Sequence, residues 1–151
     1  MPPHIWRCPT RDAIDKLAAR FELPNHPWMQ DWELEVSDPA RIDEFLAAYI
    51  SEQLSDDEKF TLMETIIASF DELAATGRNL DADTRWRLTR SLLQNNIPLH
   101  AYSVWYWSRL DAEEEDEMFC ISPLIRDVFA KHKDYFIEPR EGSQDAPARY
   151  A

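Results

Sequence analysis

Apolar residues recur along this chain at intervals of three and four, in blocks set apart by prolines and capping residues, a pattern that predicts amphipathic helices rather than strands. Ile14, Leu17, Ala18 and Phe21 form the first stripe, and Thr10 stands where it can cap their helix. Pro24 and Pro27 then break the chain, and the alternation Trp32, Leu34, Val36 predicts a brief extended piece. Ser37-Asp38-Pro39 reads as a helix start, with a capping hydroxyl, an acid at the positive end of the dipole and a proline whose missing N–H costs nothing there. Ile42, Phe45, Leu46, Tyr49 and Ile50 are the stripe that follows.

Ser55-Asp56-Asp57-Glu58 has the form of a capping box and opens a long helix through Phe60, Met63, Ile66, Ile67, Phe70 and Leu73 or Ala74, with Gly77 as its left-handed stop. Asp81 or Asp83 caps the next helix, in which Trp86, Leu88, Leu92 and Leu93 are apolar and Arg85, Arg87 and Arg90 face largely outward. Asn95-Asn96 and Pro98 end it. From Leu99 to Leu110 both faces are apolar or aromatic, so neither period stands out. A helix ending at Asp111 is the favoured reading, and a two-stranded β-ribbon around 102–121 is the alternative. Ser122-Pro123 repeats the cap-plus-proline start ahead of Leu124, Ile125, Val128 and Phe129. The polar stretch from Glu138 onward reads as a flexible tail.

With two glycines in 151 residues, 44% hydrophobic and 12% aromatic, the expectation is a mainly α fold. One compact domain over residues 1–137, of about five to six helices, accounts for the pattern. Cys8 and Cys120 form no CxxC pair and suggest no disulfide framework, Cys120 being expected as a small core residue between Phe119 and Ile121. The N-terminal MPPHIWRCPTRDAI lacks a signal-peptide core, and no stretch approaches the roughly 18 apolar residues of a membrane helix. A reducing cytoplasm is the expected location.

Charge changes the picture more than composition does. The net charge of −13 disfavours nucleic acid and anionic membranes as partners and favours a basic protein, because opposite charge speeds encounter and rejects wrong partners. The charge is patterned. Residues 22–83 carry −13, residues 84–110 carry four arginines and no acid, and Asp111–Glu117 packs six carboxylates into seven residues. That last run lies between Tyr102-Ser103-Val104-Trp105-Tyr106-Trp107 and Met118-Phe119-Cys120-Ile121, two segments expected to be buried, which would pin it to the folded surface. The expected partner-binding set is therefore Trp105, Trp107, Asp111, Glu113, Glu114, Glu115, Asp116 and Glu117. Trp86, Trp105 and Trp107 also read as core, and Trp28 and Trp32 read as a lid over it or as part of a binding face.

The sequence offers no catalytic residue, no cofactor site and no metal site. His4, His26, His100 and His132 are scattered, DAEEEDE lacks the central glycine of a calcium loop, and there is neither a P-loop nor GxGxxG. A carboxylate pair in a cleft, Glu64 with Asp71, is the remaining enzymatic arrangement, set against solvated helix acids. In size, acidity and the pieces W-x5-LL-x-NN-xx-LH (Trp86–His100), Tyr106-Trp107-Ser108 and Ser122-Pro123-Leu124-Ile125-Arg126, the chain resembles the small acidic immunity proteins with which bacteria neutralise their own toxins. The resemblance implies a non-enzymatic domain that covers a basic toxin. An adaptor or subunit of a larger cytoplasmic assembly, with a larger and less charged interface, is the alternative.

Overall fold

The computed structural model describes residues 1–51 and 53–137, and the expected tail at 138–151 lies outside the described residues. Seven α-helices occur among them: α1 (Arg11–Phe21), α2 (Trp32–Glu35), α3 (Ile42–Ser51), α4 (Asp56–Ala75), α5 (Thr84–Asn95), α6 (Ile97–Ser108) and α7 (Ser122–Lys131). There is no strand among the described residues, so the helix reading of 102–109 holds and the ribbon does not.

Local chemistry sets most of the helix ends. Thr10 accepts from the Ala13 N–H at the start of α1. Ser55 and Glu58 exchange both capping-box hydrogen bonds at the start of α4, an arrangement worth about 1 kcal/mol to the helix. Asp83, not Asp81, caps α5. Gly77 takes φ +89° just past α4, where a side chain would be strained.

Other starts differ from expectation. Asp38 rather than Ser37 caps the Pro39–Arg41 turn that leads into α3, its carboxylate accepting from the Ala40 N–H at 2.9 Å, while the Ser37 hydroxyl donates to Glu72. Ser122 does not cap α7 either. It is the helix's first residue, buried, with its hydroxyl donating to the Trp107 carbonyl at 2.7 Å and accepting from the Phe119 N–H at 3.0 Å. The expected extended piece is instead the single turn α2, because Trp32 drops into the core and its indole N–H donates to the Pro24 carbonyl at 2.6 Å. Trp32 is thus the lid over the core. Trp28 is not: it is 74% exposed and stacks on His26.

α4 is the axis of the fold, packing against α1, α2, α3 and α6, while α6 also packs on α5 and α7. Every residue from Phe60 to Phe70 is buried, so the single stripe expected for α4 understates its burial. Helices on several sides leave no solvent face, and the polar residues caught there must find internal partners. Thr61, Thr65 and Ser69 do so by donating to the carbonyls of Asp57, Glu33 and Thr65. Ile50 and Leu88, counted in the apolar stripes, are exposed at the stripe margins. Cys120 is an exposed free thiol, not a core residue.

Candidate functional site

α6 carries the aromatic run and ends in a forced turn. Arg109 adopts φ 46°, a left-handed cap on a residue that is not glycine. Arg126 on α7 holds that turn, donating from Nε to the Ser108 carbonyl at 2.7 Å and from Nη2 to the Arg109 carbonyl at 2.5 Å. A guanidinium is suited to this, since its planar fork satisfies two terminal carbonyls and complements the negative end of the helix dipole. The far end of the loop is fixed as well: the Asp71 carboxylate accepts from the Ile121 N–H at 2.9 Å, and Ile121 is fully buried. The acidic loop is therefore anchored at both ends, at Arg109 by Arg126 and at Ile121 by Asp71. The apolar run beyond it is buried only at Ile121, with Met118 and Phe119 half-buried.

Between these anchors the six carboxylates face outward. Asp111 pairs with Arg109 at 3.3 Å, and that hydrogen bond holds its carboxyl below the usual range. Glu113, Glu114, Glu115, Asp116 and Glu117 are exposed, and the Glu117 carboxylate steadies the loop by accepting from the Glu113 N–H at 3.0 Å. Beside the loop a groove of about 570 Å³ is lined by Trp105, Tyr106, Arg109, Leu110, Asp111 and Phe119. Leu110 is 44% exposed there, and the Arg109 guanidinium lies 5.6 Å from the Phe119 ring centroid.

The expected site residues thus divide. Trp105 and Asp111 line the groove, and Glu113–Glu117 form its acidic neighbour. Trp107 does not belong to the surface: it is 4% exposed, packs on Phe119 and donates its indole N–H to Glu64 at 2.8 Å. Its alternative assignment, core, is the correct one. Tyr106, Leu110 and Phe119 were not expected in the groove, and only their adjacency to the acidic run in sequence hinted at it. Of the arginines in 84–110, Arg109 touches the site, while Arg85 pairs with Asp83 and Asp43.

Glu64 and Asp71 do not share a site. Asp71 is the loop anchor, and Glu64 lies at the bottom of a second, smaller cleft of about 200 Å³ lined also by Arg7, Cys8, Asp31, Glu33, Tyr102 and Tyr106. Glu64 is 4% exposed, its two oxygens accepting from the Ser103 hydroxyl and the Trp107 indole, both at 2.8 Å. Burial pushes its pKa up to about 7 against the opposing pull of those two hydrogen bonds. Burial also raises that of Glu33. Tyr106 lines both the groove and the cleft, so the two hollows are neighbours on one face.

No group of three or more His, Cys, Asp or Glu side chains among the described residues is arranged to hold a metal ion. No described helix is long and apolar enough to cross a membrane. No protein-family model, no curated protein and no solved structure matches the chain.

Proposed function

We propose that this chain is a non-enzymatic, acidic protein-binding domain that covers a basic partner in the manner of an immunity protein neutralising a toxin. The observation that carries the reading is the adjacency of a half-buried aromatic groove to an acidic loop fixed at both ends. Tight protein interfaces join aromatic anchors in a desolvated centre to complementary charge at the rim, and here Trp105, Tyr106 and Phe119 supply the first and Asp111–Glu117 the second. Because the loop is already anchored, a partner has less backbone to order on binding, which lowers the cost of association. A reducing cytoplasm suits two exposed free thiols, Cys8 and Cys120.

Affinity capture from the source organism tests this reading. The native chain is expected to retain a protein of basic net charge at low salt and to release it at high salt. A variant with Glu113, Glu114, Glu115 and Asp116 changed to Ala is expected to retain little of it. Capture of a multi-subunit assembly that survives high salt and ignores the variant would instead support the adaptor reading, whose interface is larger and less charged.

A further inference from the structure

We infer that the cleft over Glu64 is a receptor for one guanidinium group, that of an arginine side chain on the basic partner. The origin of that arginine rests on the basic-partner reading above, whereas the recognition chemistry rests on the cleft itself. Two carboxylates, Glu64 at 4% exposure and Glu33 at 9%, are buried against this hollow, with Asp31 at its edge. Burying a carboxylate is costly unless a positive charge or strong donors compensate. Glu64 has only two neutral donors, Ser103 and Trp107, and burial dominates the environment of Glu33 with no cation offsetting it. Arg7, the basic residue in the wall, pairs through Nη2 with Asp57 at 2.9 Å and lies over the Phe60 ring, while its buried Nε has no hydrogen-bond partner among the described residues.

The shape selects the cation. A volume of about 200 Å³ is below the ~300 Å³ at which pockets for drug-sized ligands begin, so the cleft suits a side-chain head rather than a cofactor. Tyr102 and Tyr106 stand in its wall with their rings 6.1 Å apart and within 18° of parallel. A planar, weakly hydrated guanidinium can lie against such rings while its N–H fork meets a carboxylate, which a strongly hydrated ammonium does less well. Tyr106 also lines the aromatic groove, so a partner seated there has its side chains within reach of the cleft.

The test is a titration of the full chain with N-acetyl-arginine amide, its lysine analogue and its neutral isostere N-acetyl-citrulline amide, following heat and the Trp107 indole N–H resonance. The arginine amide is expected to bind and to shift that resonance, the lysine amide to bind more weakly and the citrulline amide not to bind. Glu33→Gln and Glu64→Gln are each expected to weaken the arginine amide about tenfold. Affinity is expected to fall as pH drops below about 7, where Glu64 takes up a proton. The groups facing it are Asp31, Glu33, Arg7, Cys8, Tyr102 and Tyr106. Equal response to arginine and citrulline, stronger binding of lysine, or binding untouched by both Gln variants would overturn the assignment. The quadruple Ala variant of the acidic loop is expected to bind the arginine amide as the native chain does. Loss of binding in that variant would place the ligand on the loop and also overturn the cleft. Failure in the titration leaves the groove reading standing, because the groove is tested with the partner and not with the amide.

Discussion

Glu64→Gln is expected to stabilise the fold by about 3 kcal/mol above pH 7 and to have little effect below about pH 4.5, as read from denaturant unfolding across pH. The sign follows from the direction of the shift. Burial moves the carboxyl from its ordinary 4.5 up to about 7, so the folded state holds a proton that the unfolded state has released throughout that window. The favourable contribution of the protonated form is fully present below about pH 4.5 and is lost as pH rises through 7. Glutamine removes the titration without orphaning its neighbours. Its carbonyl can accept from the Trp107 indole while its amide donates to the Ser103 hydroxyl. A variant as unstable as, or less stable than, the native chain at pH 8 would show that the carboxylate is compensated inside the fold, and would remove the buried-charge argument for the cleft.

Tyr49→Phe is expected to cost about 2 kcal/mol at neutral pH, and the double variant Tyr49→Phe/His100→Leu to recover most of that loss. The Tyr49 hydroxyl and His100 Nε2 lie 2.6 Å apart in a buried pair between α3 and α6. Burial pushes the phenol up to about 12 and the imidazole down to about 3, so both stay neutral and share one hydrogen bond between the hydroxyl and the ring nitrogen. Removing one partner leaves a buried polar atom unpaired, whereas removing both leaves an apolar contact. The double variant should also change the acid limb. Because burial lowers the His100 pKa from its ordinary 6.5 to about 3, its contribution is fully present above pH 6.5 and is lost as pH falls towards 3. Glu64 acts in the opposite direction between about pH 4.5 and 7, so in the native chain the two slopes largely cancel there. Glu64→Gln should uncover the His100 slope, and the double variant should abolish it. An acid limb unchanged by the double variant would exclude His100 as its source.

What the sequence made legible was what local chemistry decides. The Thr10 cap, the Ser55–Glu58 capping box and the Gly77 stop each depend on residues within one turn of one another, and each is where the pattern put it. The misreadings share a different cause, which is packing from distant segments. Trp32, Leu34 and Val36 alternate like a strand, yet spacing of four also suits one helical turn, and the bond from Trp32 to Pro24 selects the turn. Ser37 and Ser122 carry the right side chains for caps, but each is recruited by another element, Ser37 by Glu72 and Ser122 by Trp107 and Phe119.

The site was half readable for the same reason. Acid beside aromatic is a sequence fact, whereas the groove needs Phe119 folded back beside Tyr106, at 5.6 Å between centroids, and no periodicity reports that. The sequence nonetheless held one signal for the cleft: Glu64 is the single carboxylate in the window Phe60–Phe70, where a side chain of that kind cannot be a solvated helix acid if the window is buried all round. Trp107 suits both the core and a binding face by its position in the sequence, and its bond to Glu64 explains why the core claims it.

We propose that charge on the anchored loop steers a basic partner onto the groove. The most direct test is the association rate of the captured partner, measured by stopped flow across a range of ionic strength, for the native chain and for the variant with Glu113, Glu114, Glu115 and Asp116 changed to Ala. The native rate is expected to fall steeply with salt, and the variant to associate about tenfold more slowly at low salt with a flatter dependence, at unchanged thermal stability. An association rate and salt slope identical in the two proteins would contradict the claim.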